Sequence, residues 1–129
     1  KYYKKYQTPT TPSISHLFGL EYILDKINVE GLENRWKRHI DMAEYTRTWA
    51  LNHGQSLFPE KGCESYTLTC VKNDREWDIN SIYEKLLTKG FRMDRGYGTL
   101  RCKAFRIPHM GNIYMDDLVE YLNLFGKLI

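Results

Sequence analysis

The sequence predicts a two-layer α+β domain with a small, mostly antiparallel sheet and helices gathered on one face. Three observations carry that expectation. Four stretches repeat apolar residues at helical spacing. Short runs rich in β-branched and aromatic residues lie between the later ones. The connections are short, which favours antiparallel neighbours over crossovers.

The elements follow in order. Residues 1–12 are polar and aromatic and end in Gln7-Thr-Pro-Thr-Thr-Pro12, where two prolines keep the backbone extended. This segment reads as an arm, with a domain over residues 13–129. Ser13 suits a helix N-cap, and Ile14, Leu17, Phe18, Leu20, Ile23, Leu24 and Ile27 recur behind it, so a helix is expected to about Ile27. A break over Asn28–Gly31 leads to a second helix from Leu32 to Asn52. Its buried stripe is Leu32, Trp36, Ile40, Ala43 and Ala50, with Lys37, Arg38, Asp41 and Glu44 on the wet side. Gly54 stops it.

Gln55–Pro59 is a short strand candidate, and Tyr66–Val71 is the clearest strand. Asp78 caps a third helix carrying Ile79, Ile82, Tyr83, Leu86 and Leu87, which ends at Lys89-Gly90. Phe91 and Met93 begin another strand that runs into Arg95-Gly-Tyr-Gly98. Those glycines lack the spread and the following helix of a phosphate loop, and read as a turn. Ala104–Ile107 is the last strand, stopped by Pro108 and Gly111, and a final helix holds Met115, Leu118, Val119, Leu122, Phe125 and Ile129.

The totals exclude several classes. A chain of 129 residues suits one domain, and 42% hydrophobic with 27% charged residues is ordinary for a globular protein. The net charge is +3, and the basic residues do not gather on one helix face, so no nucleic-acid footprint is expected. No apolar run is long enough to span a membrane, so no membrane partner is expected either. Cys63, Cys70 and Cys102 are odd in number and without metal-ligand spacing, which fits a reduced, cytoplasmic protein without a metal. The start, Lys1-Tyr-Tyr-Lys-Lys-Tyr6, lacks a methionine and reads as a cut inside a longer protein.

Chemistry is concentrated in one side chain. Phe105 and Ile107 face one side of their strand and Arg106 stands alone on the other, with Thr67 and Thr69 expected beside it on an open, polar face. A guanidinium held at a strand end can grip a carboxylate or phosphate with parallel hydrogen bonds. Around it no catalytic set is complete. His109 with Asp116 or Asp117 has no nucleophile to activate, and no lysine lies in an apolar setting that would depress its pKa.

Three motifs resemble the class V pyridoxal-phosphate-dependent aminotransferases, and within them the alanine–glyoxylate and serine–pyruvate group. They are Gln7-Thr-Pro-Thr-Thr-Pro12 followed at once by a helix, Gly31-Leu-Glu-Asn-Arg-Trp-Lys-Arg-His39, and Gly96-Tyr-Gly-Thr-Leu-Arg-Cys-Lys-Ala-Phe-Arg-Ile-Pro-His-Met-Gly111. The resemblance covers about Gln7 to Ile129. It implies the C-terminal small domain of a fold-type I transferase that moves an amino group from alanine or serine to a 2-oxo acid such as glyoxylate or pyruvate. Pyridoxal phosphate and its Schiff-base lysine would then belong to an upstream large domain, leaving this chain inactive alone. The resemblance implies that Arg106 binds the substrate carboxylate. It also implies that Gln7 and Thr10 reach the cofactor phosphate of the neighbouring subunit in a homodimer. Pro108 departs from the small residue, often glycine, usual at that place, and Tyr97 with Asp94-Arg95 alters the preceding turn. Cysteine desulfurases share the fold, but their nucleophile sits well before the arginine, unlike Cys102. The phosphoserine branch differs after its arginine. Outside the family, the alternative is a self-standing α+β module that binds a carboxylate or another protein.

Overall fold

The computed structural model describes residues 2–129. Four helices and two strands follow one another: α1 (Ile14–Glu30), α2 (Leu32–Asn52), β1 (Leu68–Lys72), α3 (Ile79–Thr88), β2 (Ala104–Pro108) and α4 (Met115–Gly126). Tight helical turns occupy Tyr3–Lys5 and Gly98–Leu100. The architecture is the expected α+β class with an antiparallel sheet. The chain divides after Arg35 into two units.

The first unit holds the proline-bearing segment and α1. Thr8 donates its hydroxyl to the Thr10 carbonyl at 2.6 Å, folding the segment locally around Pro9. Ser13 starts α1, as expected, but its hydroxyl lies 2.6 Å from His16 Nδ1 and caps no backbone amide. The helix runs past Ile27 to Glu30. Loss of the apolar period at Asn28 does not end it; Gly31, at φ +82, does. No residue of α1 is buried, and Phe18, Leu20 and Tyr22 are exposed.

The second unit builds a core from α2, both strands, α3 and α4. α2 buries Met42, Ala43, Thr46, Trp49 and Ala50, while Leu32 and Trp36 of the expected stripe are exposed. Buried Thr46 keeps its hydroxyl satisfied on the Met42 carbonyl at 2.8 Å. α3 begins as predicted, with the Asp78 carboxylate accepting from the Ser81 amide at 3.0 Å, and buries Ile79, Ile82 and Leu86. α4 buries Leu118, Tyr121, Leu122 and Phe125. Aromatic rings join these elements: Phe125 lies 5.1 Å from Trp49, 5.5 Å from Phe105 and 5.9 Å from Trp77 between centroids.

Two expected strands shrink to single bridges. Leu57 pairs with Val71 and Asp94 pairs with Arg106, each as one isolated antiparallel bridge. Pro59 and the left-handed Gly96 stop both ladders from growing. Arg38 is also not on a wet side. Its guanidinium donates to the Ile113 carbonyl at 2.5 Å and the Gly111 carbonyl at 3.1 Å, and covers the Tyr114 ring at 4.7 Å. One cation thereby ties α2 to the loop between β2 and α4.

Candidate functional site

β2 aims Arg106. Its neighbours Phe105 and Ile107 are fully buried, so the alternation of a strand sends Arg106 to the opposite face. Antiparallel pairing sets Arg106 opposite Cys70 and Ile107 opposite Thr69. The register corrects one expectation: Thr69 lies on the core face with Ile107, not beside Arg106, and Cys70 takes its place. Thr67 lies outside the strand, in the bend before β1, where it is half-buried and its hydroxyl is 3.1 Å from Ser65 Oγ. The polar Thr69 is tolerated in the core because its hydroxyl has a partner there, His109 Nε2 at 2.9 Å.

Arg106 does not stand alone. Its Nε donates to Asp94 Oδ1 at 2.9 Å and its Nη2 to Asp94 Oδ2 at 2.5 Å, a side-on bidentate pair. The backbones are paired as well, with the Arg106 amide donating to the Asp94 carbonyl at 3.3 Å. The Gly96 amide donates to Asp94 Oδ1 at 2.8 Å and holds the carboxylate from behind. Gly96 is at φ +79, and a Cβ there would sit 2.5 Å from the carbonyl oxygens of Ala104 and Leu100, so only glycine fits this turn. Hydrogen bonds from Arg106 hold the Asp94 carboxyl below its ordinary pKa, and the same bonds raise that of Arg106. Burial pushes the Cys70 thiol up, so it is a protonated neighbour rather than a nucleophile.

The remaining candidates separate. Gln7 and Thr10 belong to the first unit, where both residues are exposed and neither side chain bonds a described residue. His109 and Asp117 do not pair: His109 faces Thr69, and Asp117 accepts from the Tyr114 amide at the start of α4. An apolar cleft of about 240 Å³ beside Pro108 is lined by Phe91, Ile107, Ile113 and Tyr121 and gathers no catalytic cluster. Among the described residues, no group of side chains could hold a metal ion and no helix is long and apolar enough to cross a membrane.

His109 is structural and makes a measurable prediction. It is fully buried, and burial, with help from the Arg47 cation, lowers its pKa from 6.5 to about 4. Between those values the unfolded chain takes up a proton that the folded chain refuses. Stability is therefore complete above pH 6.5 and falls as the pH drops through 4, by up to about 3 kcal/mol. Urea titrations from pH 7.5 to 4 should show this slope, and His109→Gln should flatten it; an unchanged slope would assign the loss to other groups.

No protein-family profile matches the chain. It is 38% identical over 114 residues to an uncharacterized aminotransferase of Methanocaldococcus jannaschii, covering 86% of this chain and 29% of that one. With the serine–glyoxylate aminotransferase of Arabidopsis thaliana it shares 33% identity over 110 residues, 81% of this chain and 27% of the relative. The crystal structure of an alanine–glyoxylate aminotransferase from Nostoc sp. superposes with a TM-score of 0.81 at 27% identity, over 94% of this chain and 33% of the other. The chain thus spans less than a third of the length of the curated relatives it matches. By relatedness and by fold, it belongs to the class V pyridoxal-phosphate-dependent aminotransferases, as the counterpart of their C-terminal small domain.

Proposed function

We propose that this domain is the carboxylate-binding part of a cytoplasmic, homodimeric aminotransferase that moves an amino group from alanine or serine to a 2-oxo acid such as glyoxylate or pyruvate. The observation that carries the reading is Arg106, in the middle of β2 and held by Asp94, with its Nη1 bonded to no described residue. Relatives named for serine–glyoxylate and aspartate–glyoxylate transfer support the substrate class. The unburied apolar side chains of α1 support burial against further protein, as a homodimer would provide. Three free cysteines fit a reducing compartment.

The residues present fit the rim of a pyridoxal phosphate site. The exposed amide of Gln7 and hydroxyl of Thr10 are suitable phosphate ligands. Every described lysine is exposed, so the desolvated lysine that anchors this cofactor comes from the rest of the enzyme. When bound, the cofactor draws electron density from the substrate's α-carbon. Arg106 binds the α-carboxylate and fixes the rotation of the substrate about its bonds, so that the correct α-bond is presented. The complete enzyme should transfer amino groups from alanine or serine to glyoxylate or pyruvate, whereas the 129-residue chain should be inert. Turnover by the chain alone, or a complete enzyme indifferent to small amino donors, would overturn the reading.

A further inference from the structure

We propose that Asp94 is a positioning residue for Arg106: it grips the Nε/Nη2 edge of the guanidinium and leaves the Nη1/Nη2 edge open for the substrate carboxylate. The inference rests on the assignment of Arg106 to that carboxylate.

A guanidinium has more than one edge along which two N–H groups point the same way. Asp94 takes the side edge, through Nε at 2.9 Å and Nη2 at 2.5 Å. Nη1 donates to no described residue, and Nη2 keeps a second hydrogen. One cation can therefore hold a carboxylate on each edge, the first internal and the second a ligand.

The competing reading is an idle surface ion pair, since both side chains are about two-fifths exposed and such pairs contribute little to stability. The way this carboxylate is fixed argues against it. An idle pair joins two long, mobile side chains. Here the acid is short, its backbone is bridged to Arg106, and its Oδ1 also accepts from the Gly96 amide. That amide sits in a turn only glycine can make. The backbone, rather than chance rotamers, sets where the carboxylate lies. Arg106 is consequently ordered before substrate arrives, and binding need not freeze its long side chain. The Asp94 charge also opposes an incoming anion, but at this exposure water and salt screen that effect.

The test uses the complete enzyme with Asp94→Ala, Asp94→Asn and Arg106→Gln side by side. Asp94→Ala should raise the KM for amino donor and oxo acid about tenfold, with kcat within about threefold of wild type. The inhibition constant of propionate, which engages the carboxylate site without chemistry, should rise in parallel. Asp94→Asn keeps an acceptor for Nε and should recover most of the loss. If Asp94→Ala does not fold by thermal melt, Asp94→Asn is read alone, with an expected rise of about threefold. An unchanged or lowered KM in the folded Asp94 variants would overturn the inference. If Arg106→Gln raises KM while the Asp94 variants do not, only the role of Asp94 falls. If Arg106→Gln leaves KM unchanged, the underlying assignment of Arg106 falls as well.

Discussion

Arg106→Ala in the complete enzyme is expected to raise the KM for amino donor and oxo acid by about a hundredfold or more, while cofactor affinity changes by less than about threefold. The magnitude follows from two hydrogen bonds between charged groups, each worth roughly 1.5–3 kcal/mol, at about 1.4 kcal/mol per tenfold in binding. The selectivity follows from the different residues proposed for the two ligands. Arg106 lies in the second unit, on the face opposite Phe105 and Ile107, whereas the proposed phosphate ligands Gln7 and Thr10 lie in the first. Arg106→Lys should recover only part of the loss, because an ammonium keeps the charge but not the planar fork. Steady-state kinetics with a parallel cofactor titration measure both quantities. Equal weakening of substrate and cofactor would mean that Arg106 supports the fold and does not grip the substrate.

Phe125→Ala is expected to have the largest effect on stability. The ring is fully buried, and Trp49, Trp77, Phe105 and Tyr121 all surround it. Removing it takes away the transfer energy of a buried phenyl and leaves a cavity that four rigid rings cannot collapse into, about 3–5 kcal/mol together. Against a typical domain stability of about 5–15 kcal/mol this is a large fraction, and a fall in Tm of roughly 10–20 °C should follow. Phe125→Leu fills part of the space and should cost less than half as much. A calorimetric shift below about 5 °C for the alanine variant would show that the ring cluster is not the centre of the core.

The helices were legible because their signals are local. Asp78 announces α3 from a single position, and the apolar period of α4 survives into its buried residues. Tyr66–Val71 and Ala104–Ile107 hold most of the two real strands, since β-branched and aromatic residues are enriched on a pleated, half-buried surface. What escaped depended on partners distant in sequence. Asp94 and Arg106 are separated by a turn, and nothing in either residue type says that they meet. Thr69 escaped because polarity does not mean exposure: a buried threonine needs only a hydrogen-bond partner such as His109. Arg38 was misjudged in the same way: a charged residue on a helix counts as wet until two carbonyl oxygens satisfy it. Arg106 itself was legible as a lone cation in an apolar strand. Gln7 and Thr10 were not legible from their own chemistry and entered only through the likeness to a family.

α1 carries a consequence for how such a chain behaves in solution. Helices of this length are marginal in water unless tertiary packing supports them, and none of its residues is buried. Its leucines and Phe18 stand exposed, so packing against further protein would strengthen the helix. If the chain associates through this face, as the proposed homodimer would, the far-ultraviolet signal of the first unit should rise with protein concentration while the folded second unit stays constant. Dilution would then measure the strength of such an association without any label, substrate or cofactor.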